Sequence, residues 1–485
     1  MFELVRNYLT YLPKEPLLFN TALFLYYFLV LIFFYQFVYL RKQSRVLYLT
    51  LFSIFFYYKS GGLFFMLLLI STVVDFNLAQ WIYTAKTKRI KTFLLIVSLV
   101  INLGLLAYFK YTNFFISILN DAANAHFSLY KIILPVGISF YTFQVLSYTI
   151  DVYRNQLKPA ESILDFGFYI TFFPHLVAGP IVRAKDFLPQ IGLDIQLSKR
   201  DIAQAVFLIM TGLFKKAVIS DFISVNFVDR IFDNPLLYSG TENLLGVYGY
   251  AIQIYCDFSG YSDMAIGIAL LLGYRLGINF DMPYQSSTIT AFWRRWHISL
   301  SSWLRDYLYI PLGGNRKGKW RQYINLAITM LLGGLWHGAS WNFILWGALH
   351  GGALALDKLK NDFFKIPDAK WIRIAGVFIT FHFVAFCWIF FRSPDFKTAL
   401  AVITQIGSGI QFELIKAFAL AYPLVAVLIA FGFISHLYPK WLEEMTINRI
   451  AKTNLAVQAF LIFIVIWMVI QVKGSDILPF IYFQF

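Results

Sequence analysis

The sequence predicts an all-α, polytopic membrane protein, and three observations favour that fold class. Hydrophobic residues occupy 59% of the 485 positions, whereas soluble globular chains average about 45–50%. Lys, Arg, Asp and Glu together supply only 14% of the residues, against about 25% in soluble chains. Apolar stretches recur along the chain, and many approach the length of about 20 residues that crosses a bilayer. A soluble protein is therefore excluded.

We predict about eleven transmembrane helices, because some of the apolar stretches are too short or too broken to cross a bilayer alone. The stretches lie at 18–40, 46–58, 61–84, 92–112, 131–151, 163–182, 201–220, 246–273, 323–352, 371–391, 413–437 and 454–472. The sequence shows neither an internal repeat nor a low-complexity linker. We therefore expect a single membrane domain over 1–485, with a core region at 130–352 and flanking transmembrane helices at 1–129 and 353–485.

The formal net charge of +15 reflects membrane topology. Basic residues form short strips beside apolar runs, as at Arg41, Lys42 and Arg45, and such strips face the cytoplasm in membrane proteins. We therefore expect membrane lipid around the chain and no nucleic-acid partner. The run from Leu17 to Leu40 is too long for a removable signal peptide. The basic strip after this run predicts an N-terminus on the outer side of the membrane.

Proline and glycine interrupt the apolar stretch at 163–182. Pro174, Gly179 and Pro180 fall inside it. Irregular backbone at membrane depth is tolerated only where it is buried in protein or lines a water-filled cavity. The stretch therefore predicts a broken or re-entrant segment.

The stretch 285–322 combines cations with aromatic rings. Arg294, Arg295, Arg305, Arg316, Lys317, Lys319 and Arg321 alternate with tryptophan and tyrosine, and Asp306 is the one acid. Both kinds of side chain suit the headgroup level of a bilayer. We predict short interfacial helices followed by a glycine-rich turn at 313–318. Two interpretations remain open, a basic membrane anchor and a docking strip for an anionic donor.

Two histidines are candidate catalytic residues. An ionisable side chain at membrane depth costs about 3 kcal/mol, so each one needs a partner or a function. His337 lies in a glycine-rich apolar run, where small residues let a neighbouring helix or an acyl chain come close. His297 follows an aromatic and basic string and brings a second imidazole toward the basic strip. Imidazole exchanges protons near neutral pH, although a lone buried histidine is more often a satisfied core residue.

A metal site is a competing interpretation of His175, His297, His337 and His350. The sequence has no His-Glu-x-x-His string, no short His-Cys spacing and no carboxylate beside any of these histidines. We therefore expect no metal ion.

Asp257 and Asp263 are acids in an otherwise apolar stretch. Ser259 and Asp263 lie four residues apart and share a helical face. Such acids act as relay or ion-coupling groups, or they hold a broken helix by hydrogen bonds and ion pairs. The adjacent Lys215 and Lys216 are candidate partners for them.

Five strings in the core region resemble the membrane-bound O-acyltransferase family, and within it the bacterial alginate O-acetylation branch. The strings are Leu134-Pro-Val-Gly-Ile-Ser-Phe-Tyr-Thr-Phe-Gln144, Phe172-Phe-Pro-His-Leu-Val-Ala-Gly-Pro180, Asp257-Phe-Ser-Gly-Tyr-Ser-Asp263, Phe292-Trp-Arg-Arg-Trp-His-Ile-Ser-Leu-Ser301 and Leu335-Trp-His-Gly338. The resemblance covers residues 130–352, and the flanking helices match only in hydropathy and length.

The resemblance implies a ring of helices around a central tunnel in the bacterial inner membrane. It implies His337 as the catalytic residue and His297 as its companion. It also implies a cytosolic thioester donor, acetyl-coenzyme A or a carrier-linked acyl group, as substrate, with no bound cofactor. It further implies that the acceptor is a hydroxyl of an extracytoplasmic polysaccharide such as alginate, reached through a separate outer-side transferase. Teichoic-acid D-alanyl transfer and peptidoglycan O-acetyl transfer are alternatives within the family.

The residues suit acyl transfer chemically. A base must take the hydroxyl proton, and we assign that role to His337, with a transient acyl-imidazole as the variant. His297, Trp336 and Asn342 are candidate donors to the developing oxyanion. His175, Asp257 and Asp263 are candidate tunnel or structural groups. Arg294, Arg295, Arg305, Arg316 and Lys317 are candidate donor-binding residues.

Two other classes of protein compete with the enzyme. Buried acids and broken helices also mark polysaccharide or ion-coupled transporters, which usually contain internal repeats. A noncatalytic scaffold for envelope assembly would leave the imidazoles without a function.

Overall fold

A computed structural model describes residues 9–13, 15–177, 179–363, 367 and 369–472. Within these ranges every regular element is helical and no strand is present, which confirms the predicted all-α class. The sequence predicts that the N-terminus lies on the outer side of the membrane, but the first eight residues lie outside the described residues. Residues 473–485 of the predicted flanking region also lie outside them.

The chain divides into two compact units. One is Met1–Ala205 with Met264–Gly277, and the other is Val206–Asp263 with Ile278–Phe485. The single membrane domain with its core at 130–352 stays a prediction.

Helices of the first unit begin and end where the sequence supplies caps and breaks. They are α1 (Ala22–Tyr35), α2 (Lys42–Gly61), α3 (Phe65–Thr84), α4 (Lys88–Ala123), α5 (Ile138–Tyr153), α6 (Ile163–Thr171), α7 (Phe173–Leu176) and α8 (Ala184–Ile191), with a 3₁₀ turn at Gly62–Phe64. The Thr21 and Thr87 hydroxyls accept from backbone N–H groups in the first turns of α1 and α4, as N-cap residues do.

The predicted break at 163–182 is confirmed. Helix α6 ends at Thr171, and the four-residue α7 carries Pro174 near its start, because proline supplies no backbone N–H to continue the preceding helix. The stretch at 131–151 is not helical from its beginning, since α5 begins only at Ile138. Pro135 precedes it, and Gly137 has a φ of 72°, where a Cβ would meet the Leu176 carbonyl oxygen.

Two long segments contribute residues to both units. The first is α9 (Lys199–Leu213), which continues through a π-helical turn at Phe214–Ser220, α10 (Asp221–Ile223), a second π turn at Ser224–Val228 and α11 (Asp229–Asp233). The second is α12 (Gly240–Leu271), which follows a 3₁₀ turn at Pro235–Leu237.

The second unit holds the remaining helices. They are α13 (Ile289–Trp293), α14 (Ile298–Leu304), α15 (Lys319–His337), α16 (Trp341–Phe363), α17 (Lys370–Arg392), α18 (Phe396–Gly407), α19 (Glu413–Ala421), α20 (Pro423–Ser435), α21 (Lys440–Ala451) and α22 (Leu455–Val472), with a 3₁₀ turn at Pro283–Gln285 and a π turn at Arg305–Tyr309.

Membrane spans are fewer than predicted when length and composition alone decide. Among the described residues four helical runs qualify, Lys42–Thr84, Lys88–Ala123, Lys199–Asp233 and Lys370–Arg392. A fifth is added if α19 and α20, which meet at a bend of 108°, form one broken span. The predicted count of eleven is not confirmed, because several apolar stretches form helices shorter than a bilayer, such as the 14-residue α1.

Glycines bring α15 and α16 into close contact. A Cβ at Gly334 would overlap the backbone of α16, and a Cβ at Gly347 would overlap the Met330 carbonyl oxygen of α15. A Cβ at Gly351 would lie 3.0 Å from the Ala327 Cα. These glycines therefore let two helices approach each other, the first of the two functions considered for the glycine-rich run around His337.

A pair of glycine substitutions on α16 tests this packing. Gly347→Ala should lower the thermal unfolding midpoint of the detergent-solubilised protein, because a methyl group at this position meets the backbone of α15 and forces the two helices apart. The expected loss of folding free energy is about 1–3 kcal/mol. Gly352→Ala is the control, since nothing lies within 4 Å of a Cβ there. Alanine at position 352 should leave the unfolding midpoint unchanged or raise it, because alanine stabilises a helix by up to about 1 kcal/mol relative to glycine. Equal midpoints for the two variants would contradict the packing.

Candidate active site

The aromatic and basic stretch folds into the short helices that its sequence predicts. Helix α13 begins after Thr288, whose Oγ1 accepts from the Ala291 N–H at 3.1 Å. Helix α14 follows His297, and the turn before α15 contains Gly313, Gly314 and Gly318 with positive φ. The location of these helices at the membrane interface stays a prediction.

His297 is held in a strained backbone conformation at the junction of α13 and α14. Its φ is 44° and its side chain is buried. Left-handed conformations are unfavourable for residues other than glycine and cluster at functional sites. The surrounding structure must therefore hold His297 in place, and a neighbouring amide does so.

The Asn279 side chain orients the His297 imidazole. Asn279 Oδ1 lies 3.1 Å from His297 Nδ1 and accepts from the Ser299 N–H at 3.2 Å and the Ser299 hydroxyl at 2.9 Å. Because a backbone N–H can only donate, the atom facing His297 is the amide oxygen, and Nδ1 must carry the proton. Burial lowers the pKa of His297 to about 3, so the ring is neutral at pH 7. Its Nε2 therefore carries a lone pair.

Trp336 contacts both candidate catalytic imidazoles. Its ring centroid lies 6.2 Å from that of His297 and 5.0 Å from that of His337. Trp346 and Phe391 complete the aromatic surroundings of His337, at 4.9 Å and 5.2 Å. The two histidines, which belong to separate segments, thus both lie beside one indole. Their catalytic roles stay a prediction.

His337 is the last residue of α15, and only 3% of its surface is exposed. Aromatic rings pack against it in this structure. A cavity of about 220 Å³ in the second unit has neither His297 nor His337 among its lining residues. The central tunnel therefore stays a prediction.

One of the other two histidines, His350, shares a neighbour with His337, because its ring packs on Trp346 with the centroids 4.6 Å apart. His175 belongs to the first unit, where its Nε2 lies 2.9 Å from the Tyr169 carbonyl oxygen and its ring packs on Phe172 and Phe187. His350 Nδ1 accepts from the Trp293 indole N–H at 3.3 Å. Across the described residues, no group of three or more His, Cys, Asp or Glu side chains is arranged to hold a metal ion.

Both acids of the 257–263 string form ion pairs with lysines. Lys216 Nζ lies 2.6 Å from Asp257 and 2.7 Å from Asp221, and the Lys216 side chain is 1% exposed. Lys215 Nζ pairs with Asp263 and lies 3.5 Å from the Ser259 hydroxyl. The expected shared face of Ser259 and Asp263 is present, and the acids join α12 to the π turn at Phe214–Ser220.

The remaining candidates divide between structural bonds and exposed positions. Asn342 Nδ2 donates to the Ser393 carbonyl oxygen at 3.0 Å, so this amide supports the end of α17. Arg305 binds Asp306 at 2.7 Å. Arg305 is nevertheless exposed, as are the donor-binding candidates Arg294, Arg316 and Lys317. Arg295 is partly buried and lines the 220 Å³ cavity.

Sequence reasoning did not single out Asn279 or His436. Asn279 stands between Ile278 and Phe280 after the end of α12, and an amide at a helix end is an ordinary feature. The buried His436 packs on Tyr255 and Tyr284, with ring centroids 4.4 Å and 5.1 Å away. Its occurrence at the end of an apolar helix is the signal that would have found it.

Comparison with known proteins identifies the class of enzyme. The membrane-bound O-acyltransferase (MBOAT) family model matches residues 155–393. A peptidoglycan O-acetyltransferase of Helicobacter pylori is 39% identical over 80% of this chain and 79% of its own length. A probable alginate O-acetylase, AlgI, of Pseudomonas putida is 37% identical over 81% of this chain and 84% of its own length. A teichoic acid D-alanyltransferase of Bacillus subtilis is 30% identical over 56% of this chain and 72% of its own length.

The chain belongs to the membrane-bound O-acyltransferase family. It is a multi-pass membrane protein and an acyltransferase. The predicted resemblance to the alginate O-acetylation branch is confirmed by the relatives of that name.

Removing the buried lysine tests the ion-pair assignment of Asp257. Lys216→Met should destabilise the protein by about 3–5 kcal/mol, because a buried carboxylate loses its cation. The readout is the fraction of monodisperse protein left after heating in detergent. Lys416→Met, at an exposed position on α19, should have no effect. Adding Asp257→Asn to Lys216→Met should recover part of the loss, and a double variant as unstable as the single one would contradict the pairing.

Two substitutions of Asn279 separate positioning from folding. Asn279→Ala should lower kcat by about tenfold or more, since the imidazole loses its orienting acceptor. Asn279→Asp keeps an acceptor but adds a negative charge, which stabilises the imidazolium and raises the pKa of His297. The pH–rate profile of Asn279→Asp should therefore shift to higher pH. An unshifted profile in a well-folded Asn279→Asp protein would exclude the positioning role.

Proposed function

We propose that this acyltransferase moves an acetyl group from a cytosolic thioester across the inner membrane to hydroxyls of an extracytoplasmic polysaccharide, through an outer-side partner transferase. The observation that carries the proposal is the contact of two buried imidazoles, His297 and His337, with the single indole of Trp336. The names of the relatives that match about four fifths of the chain, which specify O-acetyl transfer, support acetyl as the group transferred.

The proposed reaction uses His337 as the general base. The acceptor oxygen attacks the thioester carbonyl carbon while His337 takes the hydroxyl proton. The tetrahedral intermediate then expels the thiolate, which recovers this proton from the imidazolium. A C–O bond forms and a C–S bond breaks, so no oxidant is required.

His297 has a complementary task in this scheme. Because its Nδ1–H is bound to Asn279, its Nε2 accepts hydrogen bonds and does not donate them. The attacking hydroxyl has a single proton, which this scheme gives to His337. We therefore assign His297 to orienting the Trp336 indole that its ring contacts, in place of the oxyanion role considered from the sequence. The Trp336 indole is the candidate oxyanion donor that contacts both rings.

Exposed cations are suited to the donor. Arg294, Arg316 and Lys317 lie on exposed positions of the short-helix region, where they are available to the phosphates of acetyl-coenzyme A or to an acidic carrier protein. Arg305 is less suited, since Asp306 already neutralises it.

The ion pairs of Asp257 and Asp263 argue against the rival transport function. Asp257 and Asp263 are each bound to a lysine, so neither is an isolated carboxylate of the kind that binds a coupling ion. Within the family, D-alanyl transfer is less favoured than O-acetyl transfer, because the D-alanyltransferase match covers only 56% of this chain.

Reconstitution tests the proposal. Liposomes containing the protein, with labelled acetyl-coenzyme A inside and the partner enzyme with acceptor polysaccharide outside, should form labelled O-acetyl product. His337→Ala should lower the rate by about 10²–10⁴-fold, the usual contribution of a general base. His297→Ala should also be impaired, and His126→Ala, at an exposed loop position, should match the unmodified protein. Full activity in folded His337→Ala would refute the catalytic assignment.

A further inference from the structure

A cavity of about 220 Å³ lies in the second unit, and neither His297 nor His337 is among its lining residues. Two turns line it, Asp281 to Gln285 and Leu437 to Lys440, together with Arg295. The volume corresponds to roughly seven water molecules at ~30 Å³ each. This space accepts a phosphate group and its nearest substituents.

Arg295 supplies an incompletely used cation to this cavity. Its guanidinium makes one hydrogen bond within the described part of the chain, from Nη1 to the Met282 carbonyl oxygen at 3.5 Å. No ion pair of Arg295 occurs there. A guanidinium has five N–H donors in a fork that matches the oxygens of a phosphate or carboxylate. Most of these donors therefore remain for a ligand.

The other two charges that line the cavity compensate each other. Lys440 Nζ lies 3.1 Å from Asp281 Oδ1 and 3.2 Å from Oδ2. Together with Arg295 they give the lining a net charge of +1. A phosphodiester carries a single negative charge at neutral pH and balances this lining, whereas phosphate monoesters and pyrophosphates carry more.

Exposed apolar side chains occur in and next to the lining turn between α20 and α21. Leu437, which lines the cavity, is 70% exposed, Trp441 is 64% exposed and Ile434 is 62% exposed. Exposed tryptophan beside lysine is typical of the bilayer interface. A ligand bound here thus meets cations at its phosphate and apolar surface beside it, as a phospholipid requires.

We propose that this cavity binds the headgroup phosphate of an anionic phospholipid, with Arg295 as the principal ligand. Basic pockets between membrane helices bind lipid headgroups in this manner. The inference does not rest on the proposed acetyl transfer, because the site is defined by its charges and its apolar rim. It assigns Arg295 to lipid and leaves the exposed cations to the acyl donor.

Short-chain lipids make the proposal measurable. The full-length protein in zwitterionic detergent is titrated with dioctanoyl-phosphatidylglycerol, dioctanoyl-phosphatidylcholine, inorganic phosphate or coenzyme A, and binding is followed by intrinsic tryptophan fluorescence. Phosphatidylglycerol should bind at least tenfold more tightly than phosphatidylcholine, whose choline group adds a cation that Arg295 repels. Arg295→Gln should weaken phosphatidylglycerol binding about tenfold, the effect of one charge-assisted hydrogen bond.

Two further variants change the charge in controlled ways. Asp281→Asn removes the competing carboxylate and should tighten phosphatidylglycerol binding, a gain that damage to the fold does not produce. Arg449→Gln removes the same charge as Arg295→Gln from an exposed position in the last turn of α21, and it should leave binding unchanged.

Three results would overturn the proposal. The first is equal affinity for the two lipids. The second is unchanged phosphatidylglycerol binding by Arg295→Gln. The third is Arg295-dependent binding of inorganic phosphate or coenzyme A without binding of phosphatidylglycerol, which would assign the cavity to a soluble phosphate.

Discussion

Hydrocarbon offers no hydrogen bonds, and the arrangement of polar groups in this protein follows from that constraint. A charge placed among apolar helices must find its partner within the protein. Lys216, which is 1% exposed, lies against the carboxylates of Asp221 and Asp257. These ion pairs connect α12 to a π turn. π-helical turns are rare, and they occur frequently at functional sites. Charge pairing thus holds α12 against this π turn.

The same constraint explains how the imidazoles are presented. A neutral histidine needs one acceptor for its N–H, and Asn279 supplies it to His297 while its own orientation is fixed by Ser299. The left-handed backbone at His297 places the ring, and the amide fixes its tautomer. Because Trp336 contacts both His297 and His337, a displacement of α15 would change the packing around both imidazole rings. Close packing of α15 on α16 through glycine resists such a displacement.

Local features of the fold were predictable from residue chemistry, whereas partners distant in sequence were not. Pro174 predicts the break after α6 because proline cannot extend a helix. Alternation of rings and cations predicts the short helices around His297. The partner of Asp257 was left open between hydrogen bonds, arginine and the adjacent lysines, because pairing depends on how π turns rotate Lys215 and Lys216. The role of Asn279 was not predictable from the sequence, because it depends on a contact with His297, which lies 18 residues further along the chain.

A structure of the protein with a non-hydrolysable acetyl-thioester analogue tests the central claim most directly. The aromatic rings around His337 should part to admit the analogue, with the acetyl carbonyl carbon within about 4 Å of the His337 imidazole. An analogue bound elsewhere, with Trp336, Trp346 and Phe391 still packed around His337, would contradict it.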